Sequence, residues 1–392
     1  MQIAFLSMLL VPIIAAAQEQ AATDPEKPQT LELRRAEEQK TLEASLKGVP
    51  EMPSRKLEEL FAFALHDGFI VVHPKLAEAT DGMKRIDVPE LPGITTLMMI
   101  GDPAGPADRA VGINLQNYRL DQPGVVYANL QVLLQPTHLQ LALGVVGETE
   151  TWDVSLLQQP PHEETPAELA QVVRMYVQVF DANEEQTQRL SLAAPTFSEL
   201  RRKHPAETQK YLYPIMHALQ AEHLFAVDER LGWRVLAEDL EPDKQLVRQV
   251  ETILEQFDSD RFQEREAAAQ ELRKLGQPAA IALLKADRSD WSIERQSGVD
   301  AFLAEFTQGE QDDAAAMRDS PAFLLDCLYS DNADLRSAAA ARLQKITDEP
   351  VEIDPDAPRE QRFERIAQLY EKLVLQNTDD GGGMKVEATA KE

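Results

Sequence analysis

The feature that most constrains this chain is an alternation of apolar and polar residues through its centre. Val111, Ile113 and Leu115 share one parity, Asn114 and Gln116 the other. Val126, Leu130, Val132 and Leu134 follow the Asp121-Gln122-Pro123-Gly124 turn. Leu139, Leu141, Leu143 and Val145 follow Gln135-Pro136-Thr137, and Trp152, Val154 and Leu156 follow Gly147-Glu148. A period of two places alternate side chains on opposite faces of a strand, whereas a helix would scatter them around its axis. Short strands joined by tight turns predict an antiparallel meander with one apolar face, and that face needs a cover. The same stretch, Leu91 to Gln158, holds only eight charged residues in a chain that is 27% charged overall.

The segment after the meander reads as the cover. Thr165-Pro166-Ala167-Glu168 combines a capping hydroxyl, proline at the first helical position and a carboxylate. Leu169, Val172, Val173, Tyr176, Val177 and Phe180 then fall on one helical stripe. The expectation is an α+β domain over residues 54–190, closed by this helix. At its start, Ser54 is expected to open a helix carrying Leu57, Leu60, Phe61 and Leu65, stopped by Gly68, with Phe69 to Val72 as a short buried strand. Residues 18–53 read as a polar lead-in and a charged surface helix from Thr30 to about Lys47, with Leu31, Leu42 and Leu46 spaced to pack.

The rest reads as helical. Residues 191–241 form a connector opened by a second capping box, Thr196 to Glu199, broken at His204-Pro205 and kinked or divided at Pro214. From Pro242 a helix carries Leu246, Val247, Val250, Ile253, Leu254 and Phe257 and stops at Asp258-Ser259-Asp260. A pattern then recurs. Asp260, Arg265, Ala268 and Leu272 are matched 71 residues later by Asp331, Arg336, Ala339 and Leu343. A weaker copy between them has Asp290, Arg295, Gly298, Phe302 and Phe306, so that the arginines lie 30 and then 41 residues apart. Such spacing suits helix pairs with unequal loops that stack because no pair buries its apolar face alone. In this reading the aspartates cap helices and the arginines reach a carboxylate or carbonyl of the neighbouring repeat. The alanines permit close approach, and the leucines fill one continuous seam.

The run Tyr329 to Leu343 resembles the second-helix signature of HEAT-like repeats. Asp258 to Leu275 resembles it too, with Gln263 and Glu264 where that family prefers an apolar residue. More broadly, Pro195 to Leu373 is similar to exported bacterial proteins with HEAT-like repeats and no assigned activity. The resemblance implies a short α-solenoid over residues 242–376 and a surface for protein partners, and it implies no chemistry. Residues 377–392, with Gly381-Gly382-Gly383, are expected to be a disordered tail.

An address is also legible. The apolar run Ile3 to Ala17 ends in Ala15-Ala16-Ala17, which fits signal peptidase cleavage between Ala17 and Gln18. Its length, about 15 residues, falls short of the about 20 that cross a bilayer core. An exported protein, periplasmic or secreted and without a stable membrane anchor, is expected. Cys327 is the one cysteine, which excludes an internal disulfide and a cysteine-based zinc site. The net charge of −28 opposes contact with nucleic-acid phosphate or anionic lipid.

No motif for catalysis stands out. The seven histidines lack the two-on-one-face spacing of a zinc hydrolase, and no Gly-x-Ser-x-Gly elbow occurs. Gly101 to Pro106 lacks the Lys-Ser/Thr ending of a phosphate loop. Asp258-Ser259-Asp260 and Asp331-Asn332 lack the glycine and glutamate of a calcium loop. No catalytic, cofactor-binding or metal-ligating residue and no cofactor are expected. The reading is a non-enzymatic scaffold that contacts another exported protein. Its alternative is an exported enzyme or small-ligand protein with a site on the α+β domain lined by His66, His73 and Trp152.

Overall fold

The computed structural model describes residues 31–75, 82–100, 112–120, 124–135, 138–159, 173–182, 185–240, 244–307, 312–347, 352–354 and 356–376. The expected signal segment with Ala17 and Gln18, the Gly101 to Pro106 loop, the Thr165 capping box and the tail from 377 lie outside these residues. The chain begins with α1 (Leu31–Ser45), in which Leu42 is buried and whose Arg35 Nε donates to the Val125 carbonyl at 2.7 Å. A single helical turn, α2 (Leu57–Leu60), leads into the hairpin β1 (Phe61–His66) and β2 (Phe69–Pro74). The helix expected from Ser54 to Leu65 is thus corrected: Phe61 and Leu65 lie on a strand. The cause is Asp67-Gly68, whose φ values of 49° and 79° are both positive, the requirement of the two-residue turn that matches strand twist.

Eight further strands form one antiparallel meander. They are β3 (Gly82–Ile86), β4 (Ile94–Ile100), β5 (Gly112–Arg119), β6 (Val125–Gln135), β7 (His138–Gly147), β8 (Glu150–Gln158), β9 (Val173–Asp181) and β10 (Gln186–Ala194), each paired with its sequence neighbour. The register aligns Leu97, Leu115, Val132, Leu141, Leu156 and Met175 in a row across β4 to β9. None of the six is more than 1% exposed. The opposite face carries Gln116, Gln131, Ser155 and Tyr176 in the neighbouring register. The described part of the expected covering helix is instead β9. Val173, Met175 and Val177 are buried alternately, because a segment apolar at most positions satisfies either period and its pairing with β8 and β10 selects the strand.

The cover comes from elsewhere. The β1–β2 hairpin, α3 (Phe197–Lys203) and α4 (Pro205–Ala218) share the sheet's core through Phe61, Ile70, Phe197, Leu212 and Ile215. Thr196 Oγ1 accepts from Glu199 N at 3.1 Å, as the capping box requires, and α3 and α4 part at His204-Pro205. Pro214 lies inside α4. A 3-10 turn (Glu222–Phe225) and α5 (Glu229–Val235) follow. Then come α6 (Lys244–Gln256), α7 (Phe262–Leu275), α8 (Gln277–Lys285), α9 (Ile293–Thr307), α10 (Asp312–Arg318), α11 (Pro321–Leu328), α12 (Ala333–Thr347) and α13 (Arg359–Tyr370). The fold is α+β, as the sequence predicts.

The helices do not share one seam. Val250, Leu254, Phe257, Ala268, Leu272, Leu283, Val299 and Phe302 make a core confined to α6–α9. Leu325, Leu335, Ala339, Leu343 and Ile366 of α11–α13 belong to the core of the sheet. The two strongest copies of the repeat pattern therefore anchor different cores, since α11–α13 join the core that is continuous with the sheet and α6–α9 bury their own. Glycine permits two of the tight approaches. A Cβ on Gly298 of α9 would lie 2.4 Å from the Phe257 ring, and one on Gly232 of α5 would lie 2.8 Å from Leu335 of α12.

Candidate functional site

The recurring residues do repeated work, with two corrections: Arg265 and Arg336 bind the loop before their own helix, and the aspartates are not the caps. Arg265 Nη1 donates to the Ser259 carbonyl at 2.6 Å, and Arg336 Nη1 donates to the Ser330 carbonyl at 3.0 Å. Both arginines thus tie the first turn of their helix back to the loop that precedes it. Arg295 instead pairs with Asp258, a carboxylate of the preceding helix pair, as expected of a repeat contact. The aspartates are not the caps. Asn332 Oδ1 accepts from Asp334 N and Leu335 N at 3.1 and 3.2 Å, and Ser292 Oγ accepts from Arg295 N at 3.1 Å. Asp331 stands one residue too early and pairs with Arg359 at 2.6 Å, a hydrogen bond that lowers its pKa. Asp260 and Asp290 are exposed. Ala268, Leu272, Ala339 and Leu343 are fully buried, as their assigned packing role requires.

Asp258 ties the α6–α7 turn to the start of α9, because its carboxylate takes both Arg295 of α9 and the Ser292 hydroxyl just ahead of α9. The first residues of α7 and α9 are Phe262, 69% exposed, and Ile293, 81% exposed. Trp291, two residues before Ile293, is half-buried, with the Arg288 guanidinium 5.4 Å from its ring. This end of the α6–α9 unit is an exposed apolar edge bordered by arginines.

A second feature lies where the sheet-side helices meet α10 and α11. Arg201 of α3 is 3% exposed and Asp326 of α11 is 5% exposed. Arg201 Nη2 donates to Asp326 Oδ1 at 2.6 Å and to Gln209 Oε1 at 2.9 Å. Nε donates to the same carboxylate at 3.1 Å, and Nη1 donates to Thr208 Oγ1 and the Pro205 carbonyl at 3.1 and 3.2 Å. The Tyr370 hydroxyl of α13 lies 2.6 Å from Asp326 Oδ1. The guanidinium is also sandwiched, 4.2 Å from the Phe225 ring and 4.6 Å from the Tyr370 ring. Burial alone would lower the Arg201 pKa; the facing Asp326 carboxylate, its hydrogen bond and the neighbouring Tyr370 and Tyr329 together raise it, so the guanidinium stays charged.

Above this network is a cavity of ≈ 170 Å³, walled by Leu224, Phe225, Ala226, Leu231, Met317 and Phe323, with Arg201 and Asp326 also on its lining. Neither residue of the pair was singled out from sequence. The readable signal was Asp326 itself, a lone charge in the apolar run Phe323 to Leu328, since a buried carboxylate demands a partner. Cys327 beside it is fully buried, and burial pushes its thiol pKa up, which suits a packing residue.

The trio named for the alternative reading is not brought to this cavity. His66 is exposed, 3.4 Å from Asp67, and His73 is exposed on the other strand of the hairpin. Their cross-strand partners are Phe69 and Ala62, so the two are offset by four residues, about 13 Å along the strand. Trp152 packs against the sheet's core. Among the described residues no three His, Cys, Asp or Glu side chains group to hold a metal, and no helix is long and apolar enough to cross a membrane. Compared with known proteins, the chain matches no family model, no curated protein and no solved structure.

Proposed function

We propose that this chain is an exported, non-enzymatic interaction scaffold that docks another exported protein through its α6–α9 unit. The observation that supports this reading is the exposure of Phe262 and Ile293, the first residues of α7 and α9, in a unit where Asp258 ties the α6–α7 turn to the start of α9. Single exposed apolar residues are ordinary on protein surfaces, but several in one helical unit, accompanied by arginine–aromatic contacts at Phe262 and Trp291, have the composition of an interface. Of the five large apolar side chains exposed among the described residues, Phe262, Leu284 and Ile293 belong to this unit. The resemblance of the helical region to HEAT-like repeats supports a protein as the partner, and the Ile3 to Ala17 run supports export. The net charge of −28 favours a partner surface that is apolar or basic.

The test is capture from the exported fraction with the full mature chain as bait. Wild type is expected to retain a partner. Phe262→Asp combined with Ile293→Asp is expected to weaken it by about tenfold or more while leaving the melting temperature unchanged, since both side chains already face solvent. No partner above background with wild type, or undiminished capture by the double variant, overturns the reading.

A further inference from the structure

We propose that the cavity above the Arg201–Asp326 pair is a socket for one neutral apolar side chain of a docked partner, an inference that rests on the scaffold reading. Size argues first. Dedicated small-molecule and cofactor pockets run to about 300–1,000 Å³. At ≈ 170 Å³ this cavity is well below that range. An apolar cavity of about 150 Å³ holds one benzene-sized group, so the space here matches a single phenylalanine or leucine side chain.

The walls argue next. Leu224 and Phe225 are each 1% exposed and Phe323 is 7% exposed. Phe225 is held on one side by the Arg201 guanidinium and on the other by the Phe197 ring, stacked at 6.2 Å between centroids. A wall fixed before binding needs no ordering when an anchor enters. Most polar groups on the lining are engaged within the fold, the exception being the buried Ser198 hydroxyl, and Glu199 pairs with Lys203 at 3.2 Å. Arg201 and Asp326 satisfy each other, Asp228 Oδ1 accepts from Leu231 N at 3.1 Å, and Ser320 Oγ accepts from Phe323 N at 3.4 Å. A neutral apolar group can therefore enter without stranding a buried charge, whereas a charged one would give up hydration against the apolar walls of Leu224, Phe225 and Phe323. Anchoring one such side chain in a rigid pocket is how interfaces concentrate their binding energy.

The test uses the full mature chain with methionine methyl groups labelled, and follows the Met317 methyl resonance by NMR. N-acetyl-phenylalaninamide is expected to shift it saturably with millimolar affinity, and N-acetyl-aspartamide to leave it in place. Ala226→Leu, which fills the cavity, is expected to abolish the shift. Leu231→Ala, which widens it, is expected to keep the phenylalanine probe and to tighten N-acetyl-tryptophanamide severalfold over wild type. Even if Ala226→Leu folds poorly, the widened variant still reads out the cavity. Absence of a saturable Met317 shift, an equal response to the aspartate probe, or unchanged selectivity in Leu231→Ala overturns the proposal. A response to free toluene without one to the acetylated amide also overturns it, because the occupant would then be a free molecule and not a side chain. None of these readings needs the partner or the Phe262 edge, so failure here is separable from failure of the scaffold reading.

Discussion

At the scale of single residues, the most consequential contact is one that joins distant parts of the chain. Arg201 and Asp326 are 125 positions apart and both are buried. A buried pair of this kind adds little net stability over apolar residues of similar volume, but breaking it strands a charge. Asp326→Ala is expected to destabilise by about 3–5 kcal/mol. Arg201→Met combined with Asp326→Leu is expected to cost markedly less than the single change, and chemical denaturation of the four members of the cycle checks both. A milder case is His217, whose Nδ1 lies 2.7 Å from Glu222 Oε1. The Glu222 hydrogen bond raises its pKa against an opposing effect of burial. The folded pKa thus exceeds the unfolded value of about 6.5, so the contribution is fully present below that pH and is lost as pH rises through the higher folded value. Glu222→Gln is expected to flatten this part of the stability–pH profile between pH 5 and 8, as melting curves across that range would show. Because the His217 side chain is 66% exposed, solvent screening keeps the effect small.

At the scale of elements, legibility followed how many rules agreed. Strands β5 to β8 were legible because alternation, low charge and turn residues coincide there. Helices α3, α7 and α12 were legible because a cap or break and a helical stripe coincide. β2 was legible as a strand from Phe69, but β1 was missed although Asp67-Gly68 is a strong turn signal, since Leu57, Leu60 and Phe61 offered a competing helical spacing. β9 was missed because Val173, Tyr176 and Val177 fit a helix as well as Val173, Met175 and Val177 fit a strand; only the neighbouring strands decide. The capping aspartates were misread for a local reason: in Asp331-Asn332 either residue can cap, and the choice depends on where Arg359, far along the chain, places its guanidinium. The cavity was not legible at all, because it is built from α3, the 3-10 turn, α5, α10 and α11, whose meeting no local pattern encodes.

At the scale of the whole molecule, the division into two cores is the main departure from a uniform repeat stack. Leu272 and Leu343 hold equivalent places in the recurring pattern and are both fully buried, yet they sit in different cores. Truncating either to alanine is expected to cost about 2–5 kcal/mol locally. The two losses should differ in reach. Leu272→Ala is expected to raise amide exchange across residues 244–307 with the sheet still protected, whereas Leu343→Ala is expected to raise it in α11–α13 and in the sheet together. Hydrogen-exchange mass spectrometry distinguishes the patterns, and identical maps for the two variants would contradict the separation of cores.

The short helix α5 touches α9 on one side and α10 and α12 on the other, and its Leu231 forms part of the cavity wall. A tilt of the α6–α9 block would therefore be felt first at α5, which carries one wall of the space above Arg201. Gly232 seated against Leu335 leaves that lever almost no slack.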